Sequence, residues 1–314
     1  MTQQTSHQVR VVNRDLHGTD VVALQLRGEN ALPGWTPGAH IDVVLPSGLV
    51  RQYSLCGPEQ GDYLIAVLDQ PDGRGGSREV HESLSLGTEL TIIGPRNRFE
   101  LLDAERYVFV AGGIGITPIL PMIEKVAATG APWTLLYGGR SRDSMAFLDR
   151  LDQWSEHVQV IPEDEQGRMD IAALLGPLVG AAVYTCGPPG LIDAVRGVVD
   201  AWPSGSFHFE RFSGADTVLE TTDNEAFEVQ FGFDGPVVPV AENQTVLQAV
   251  LDAGADVLYS CEEGSCGSCE TTVLEGDVVH RDSLLTPDER AAGSMLICVS
   301  RASCPRLVLD IPPP

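Results

Sequence analysis

Along its first hundred residues the chain alternates apolar and polar positions with a period of two. VRVVNRD, VVALQLRG, HIDVVLP and YLIAVLD read as half-buried strands punctuated by Pro and Gly turns. Strands of this kind are expected to form a small antiparallel β-barrel. One helix is expected after GRGGS, where SREVHESL takes helical spacing. From Tyr107 the rhythm changes. YVFVAGG, PWTLLYGG, VQVIPED, AAVYTCG and SFHFERF read as short buried strands. Between them ITPILPMIEKVAATG, SMAFLDRLDQW, MDIAALLG and PGLIDAVRGVVDAW read as helices. That alternation predicts a parallel, doubly wound sheet. SGADTVLETTDN has no apolar period and is expected to be a linker, after which FEVQFGFDG and PVVPVAE predict a hairpin and TVLQAVLDAG a helix. The expected layout is three domains, 1–103, 104–212 and 225–314, with the linker at 213–224.

The most specific chemistry lies in the last segment. CEEGSCGSC places Cys261, Cys266 and Cys269 in a C-x4-C-x2-C run, and MLICVS supplies Cys298 further on. Four thiolates so spaced are the plant-type pattern for a [2Fe–2S] cluster, in which each iron takes two protein sulfurs. Small residues between the cysteines let the backbone wrap closely and aim N–H groups at sulfur, which helps set the potential. Zinc would want a second C-x2-C or an H-x3-5-H element, and none is present. A disulfide framework suits small secreted domains, whereas this chain has 314 residues.

Composition narrows the partners. The net charge of −24 argues against nucleic acid, whose phosphates want a basic surface. From Gly214 onward 18 Asp or Glu face four Arg, which suits either simple solubility or a docking face for a basic acceptor. No run of eighteen apolar residues occurs, so no membrane span is expected, and the start lacks a secretory segment. Seven cysteines without such a segment point to a reducing cytoplasm.

Other motifs are weaker singly. AGGIGITP follows a strand and opens a helix, so Gly112, Gly113 and Gly115 would let backbone N–H groups approach a pyrophosphate. Its spacing is not GxGxxG, and the usual acidic residue about twenty positions on is missing. TCGPPG and YGGR end later strands of the same sheet, where open α/β folds bind ligands. In the barrel, RQYSLCG collects Arg51, Tyr53 and Ser54, and strand alternation sends Ser54 to the face opposite the other two. GRGGS then opens a helix whose N-terminus is a seat for phosphate. Cys56 and Cys304 are expected to be structural, and His81 and His280 unexceptional.

Taken together, RQYS, GRGGS, AGGIGITP, CGPP, ERF and the four cysteines resemble the phthalate dioxygenase reductase family, which includes vanillate O-demethylase reductases. The resemblance spans essentially the whole chain. It implies a flavin barrel, a pyridine-nucleotide domain and an α+β, β-grasp ferredoxin domain. It implies that Arg51 holds the flavin phosphate, with Gly75, Gly76 and Ser77 capping it. Tyr53 packs on the flavin, Ser54 bonds near its N5, Thr117 lies near the ring and Phe212 covers its face. Cys186 and Gly187 line the nicotinamide pocket, and Ser54 and Cys186 are the catalytic candidates. FMN is expected rather than FAD, and NADH by family default, although Arg140 and Arg142 could accept the 2′-phosphate of NADPH. The implied function is a monomeric reductase that passes electrons from NADH through FMN and [2Fe–2S] to a Rieske-type terminal oxygenase. A reductase for a P450 or di-iron hydroxylase, and a non-catalytic redox sensor, are the alternatives.

Overall fold

The computed structural model describes residues 5–176, 180–212, 224–259, 261–265 and 267–313. The expected linker therefore lies, apart from Asn224, outside the described residues. The chain divides into two compact units, 1–212 and 213–314.

The first unit opens with the alternating segments. They form β1 (Ser6–His17), β2 (Val21–Gly28), β3 (Ala39–Val44), β4 (Val50–Ser54), β5 (Tyr63–Leu68), helix α1 (Gly76–Ser83) and β6 (Glu89–Asn97). The antiparallel sheet runs β4-β3-β6-β1-β2-β5, and a bridge from Leu55 to Ile65 brings its two ends together. A curled, closed sheet removes its own edges and leaves an interior to fill. Val9, Leu24, Ile41, Val43, Leu55, Ile65 and Ile92 fill it, and α1 closes it through Val80 and Leu84.

The βα segment follows: β7 (Arg106–Gly112), α2 (Ile116–Thr129), β8 (Trp133–Gly139), α3 (Leu148–Leu151) and β9 (Val158–Pro162). It continues with α4 (Glu163–Gln166), α5 (Ile171–Leu174), β10 (Ala181–Cys186), α6 (Pro189–Val199) and β11 (Ser206–Glu210). All four pairings are parallel, in the order β11-β10-β7-β8-β9. Alternate residues of each strand serve two cores, as a sheet covered on both faces requires. Phe109, Leu135, Tyr137 and Tyr184 join one, together with Val21, Ala23, Cys56 and Ala66 of the barrel. Val108, Val110, Leu136 and Val183 join the other, under α5 and α6. Barrel and sheet thus share a core. Arg150 also donates to the Cys56 carbonyl at 2.7 Å, tying the two together. One expectation needs correction. SMAFLDRLDQW is not one helix, because Phe147 adopts a left-handed φ of 62° and leaves only the single turn of α3 before a 3-10 turn at Asp152–Trp154.

The second unit contains β12 (Phe227–Phe231), β13 (Val237–Val240), α7 (Val246–Asp252), β14 (Glu270–Glu275), β15 (Val278–Val279), α8 (Pro287–Ala291), β16 (Ser294–Leu296), β17 (Arg301–Ala302) and β18 (Arg306–Leu309). Its mixed sheet runs β13-β12-β18-β14-β16, with β12 and β18 parallel. Helix α7 starts at a Thr245 cap and buries Val246, Leu247, Ala249 and Val250 in a core shared with Cys269 and Cys298.

Candidate functional site

In a doubly wound sheet the strand order reverses at one point, and the crevice beyond the carboxyl ends there is where ligands bind. Here that point lies between β7 and β10. Two of the glycine-rich turns predicted from sequence meet at it. A Cβ on Gly115 would stand 2.2 Å from the Cys186 carbonyl oxygen, and one on Gly187 would stand 3.0 Å from the Gly112 backbone. Gly112 is filled against Leu191 and Pro188. Those three glycines are therefore explained by close packing at the crevice floor. Gly113 is different, because nothing lies within 4 Å of its absent side chain, which leaves room for a ligand to approach. Thr117 is buried, and its hydroxyl donates to the Ile114 carbonyl at 2.9 Å.

Strand β4 brings the barrel to this crevice. Alternation turns Tyr53 and Leu55 toward the barrel core and Ser54 the opposite way, as the sequence pattern predicts. Burial pushes the Tyr53 phenol above its ordinary range. The Ser54 hydroxyl donates to Glu210 Oε2 at 3.4 Å, joining residues 156 positions apart. Glu210 ends β11, opposite Cys186 in the parallel register, and His40 stands opposite Ser54 on β3. His40 Nδ1 is 4.0 Å from Glu210 Oε1. Four side chains from β3, β4, β10 and β11 thus converge.

Their environment sets their protonation. Burial pushes the Glu210 carboxyl from 4.5 up to about 8, so it is mostly protonated at neutral pH. Burial, helped by the charges of Arg96 and Arg98, drives His40 down to about 3, so it is neutral. The Cys186 thiol is raised well above its usual value by burial and then by Glu210, so it is no thiolate. Ser54 and Cys186 are visible as candidates in the sequence, whereas Glu210 and His40 are not. Glu210 lies in the ERF motif used to assign Phe212, and His40 becomes visible only through the β3–β4 register. Phe212 itself is 44% exposed.

The flavin candidates lie at the other end of β4. Arg51 donates to the carbonyls of Val50 and Arg74 at 2.9 and 3.0 Å. Its side chain lies over Gly76, where a Cβ would come within 2.6 Å of Arg51 Cγ and Nε. Gly75, at φ 84°, starts α1, and no side chain caps that first turn. Ser77 Oγ accepts from the Gln70 amide at 3.0 Å. An uncapped helix start under a guanidinium suits a phosphate. Nearer the crevice, both ring nitrogens of His40 are buried without hydrogen-bond partners; Thr185 Oγ1 is too, although alternation turns it to the sheet face opposite Cys186. Native proteins seldom leave such groups unmet. These residues fit a polar ring system carrying a phosphate.

In the second unit the expected cluster ligands can be followed at three positions, since Cys266 lies outside the described residues. Cys269 and Cys298 are buried and Cys261 is half-buried. Hydrogen bonds to Cys261 and Cys269 and then burial hold the Cys298 thiol far above its ordinary range. Three thiols so close together cannot all ionise without a cationic group among them, and soft thiolates select iron–sulfur clusters or zinc. The Glu263 amide donates to Cys261 Sγ at 3.4 Å, the kind of N–H···S bond a cluster loop uses. The donors fit a [2Fe–2S] cluster.

Comparison with known proteins agrees with this geometry. Residues 109–197 match the oxidoreductase NAD-binding domain family, and residues 234–303 match the 2Fe-2S iron-sulfur cluster binding domain family. The chain is 40% identical over 313 residues to a toluene-4-sulfonate monooxygenase system reductase subunit of Comamonas testosteroni, covering 96% of each. It is 40% identical over 290 residues to the phthalate 4,5-dioxygenase oxygenase reductase subunit of Pseudomonas putida, covering 89% of this chain and 88% of that one. Among solved structures, phthalate dioxygenase reductase superposes with a TM-score of 0.73 at 34% identity over 98% of both chains. An intact type IV self-sufficient cytochrome P450 monooxygenase superposes with a TM-score of 0.88 at 44% identity, over 97% of this chain but only 41% of the longer one. At 40% identity over 89% of its length to the one reductase subunit, and superposing over 98% of its length on the other, the chain belongs to the phthalate dioxygenase reductase family of oxidoreductases.

Proposed function

We propose that the protein is the reductase component of a multicomponent oxygenase, passing electrons from NADH through FMN and a [2Fe–2S] cluster to a Rieske-type partner. One observation carries the reading. Ser54 of the barrel bonds Glu210, which stands beside Cys186 in the register of the nucleotide sheet, in a chain whose second unit gathers three cysteine thiols. When bound, the flavin would accept a hydride and give up its electrons singly to the cluster. The residues around it position and protect. Ser54 offers a hydroxyl where barrel and sheet meet. A hydride carries one proton with its two electrons, so a proton must leave once the electrons have gone. Glu210, bonded to Ser54 and mostly protonated at neutral pH, would relay that proton only by first passing its own onward. Neutral Cys186 and His40 present uncharged walls.

Two local features support the choice of cofactors. Residues 69–75, between β5 and α1, are consumed by a turn that Ser77 and Arg78 tie back to Gln70 and Pro71, leaving no insertion to wrap an adenine. That favours FMN over FAD. Arg140 is paired with Asp20 at 3.0 Å and Arg142 with Glu165 at 3.4 Å, beside the acidic α4. A 2′-phosphate would have to displace carboxylates to reach either, which favours NADH.

A P450 partner is the second reading, motivated by the match to the self-sufficient monooxygenase. Anaerobic NADH added to reconstituted protein should bleach the flavin and then produce the signal of a reduced cluster. Rapid transfer onward to a Rieske oxygenase but not to a P450 supports the proposal, and the reverse preference selects the second reading. Intact cofactors with no NADH-dependent reduction of cytochrome c would make the protein a sensor.

A further inference from the structure

One buried carboxylate in the second unit has no part in the scheme above. The Asp282 side chain is 0% exposed, in a segment that reads from sequence as an ordinary polar loop. Its Oδ2 accepts from the Leu285 amide at 2.8 Å and from Arg290 Nη2 at 3.1 Å, and the same guanidinium reaches the Asp282 carbonyl at 3.1 Å. His280 Nδ1 stands 3.4 Å from Oδ1. Carboxylates are rarely taken out of water, and a buried ion pair is weak evidence for stability alone. Its place in the fold points elsewhere.

Asp282 and Ser283 form the wall behind the cysteine loop. The Ser283 amide donates to the Gly264 carbonyl at 3.1 Å. A Cβ on Gly264 would fall 2.6 Å from Val299 Cγ2 and 3.1 Å from Asp282 Cα, so loop, wall and the neighbour of Cys298 are in direct contact. Arg290 comes from α8, a helix fixed at its start by a reciprocal Thr286–Glu289 capping box and leading into β16, just before Cys298. The Asp282–Arg290 pair therefore fastens the segment behind Cys261–Cys269 to the one that delivers Cys298.

We infer that Asp282, held by Arg290, is a positioning residue that sets the spacing between the two ligand-bearing segments and thereby the potential and retention of the cluster. The inference rests on the [2Fe–2S] reading of the four cysteines. Breaking one partner leaves an uncompensated buried charge, whereas removing both charges does not. The test uses the full-length reconstituted protein as Asp282→Asn, Arg290→Gln, Arg290→Lys and the Asp282→Asn/Arg290→Gln double variant. Iron release to a chelator, the EPR line shape of the reduced cluster and its midpoint potential are measured on the folded fraction. Each neutralising single variant should release iron about tenfold faster or more, with an altered line shape. Asp282→Asn should also move the potential to more positive values, because an anion is lost. Arg290→Lys should lie near wild type, and the double variant should recover much of the retention lost by Arg290→Gln. If the single variants lower only the unfolding temperature of the second unit, while line shape and potential stay at wild-type values, the inference is overturned. Should the neutralising variants fail to fold, Asp282→Glu, which keeps the charge but lengthens the tie to Arg290 by one methylene, should alter line shape and iron release, and wild-type values of both would overturn the inference too. Wild-type protein that takes up neither iron nor sulfide would instead remove the cluster reading beneath it.

Discussion

Replacing Glu210 by Gln gives a test that needs no cofactor. Moving a carboxyl from 4.5 to about 8 corresponds to about 5 kcal/mol of free energy, at about 1.4 kcal/mol per pH unit. Below 4.5 the group is protonated in both the folded and unfolded chain and has no effect. Between 4.5 and about 8 the unfolded chain ionises while the folded one stays protonated, so stability falls as pH rises. Above that window the loss is complete. The side chain retains 15% exposure, and rotation toward water would relieve part of the cost, so a loss of about 2–5 kcal/mol is expected. The Glu210→Gln variant carries an amide that cannot ionise and should escape this loss. All four tryptophans, at positions 35, 133, 154 and 202, lie in the first unit, so their fluorescence in urea follows that unit alone. Wild type minus variant should become steadily more unfavourable from about pH 5 to about pH 9. Parallel pH profiles for the two proteins would refute the assignment of a buried, neutral Glu210.

Further outcomes are expected elsewhere. Cys298→Ser should leave NADH-to-dye turnover nearly intact while abolishing electron delivery through the cluster, and equal loss of both would contradict the modular scheme. Ser54→Ala should slow flavin reduction in stopped-flow mixing with little change in nucleotide affinity. Gly76→Ala should weaken flavin retention in dialysis, since the new Cβ would sit within 2.6 Å of Arg51 and push the guanidinium from the α1 start. Glu165→Gln should raise the use of NADPH relative to NADH by releasing Arg142, and an unchanged ratio would take Arg142 out of the nucleotide site.

What could be read in advance followed the range of the interaction. Strands and helices whose apolar period is complete within a dozen residues were legible, as β2 and α2 show. The cysteine spacing was legible because three of the four cysteines expected as ligands fall within nine residues of sequence. The break at Phe147 was not, because nothing in SMAFLDRLDQW marks a left-handed residue. Glu210 and His40 were missed because their role depends on strand register, Glu210 beside Cys186 and His40 across from Ser54. Asp282 was missed for a similar reason, since a polar residue in a polar stretch gives no sign of its burial.

The way the barrel closes has a consequence for how it is held shut. Strand β4 lies at one end of the sheet, laddered to β3 but joined to β5 only through the Leu55–Ile65 bridge. A seam with so few rungs is the place where the wall unzips first, at a fraction of the cost of global unfolding. The residues proposed to grip the flavin line that seam. A tightly held prosthetic group would act there as a stitch, lending the strand protection in proportion to its occupancy. Amide hydrogen exchange along 50–55 should therefore slow on flavin binding far more than exchange in β1 or β2.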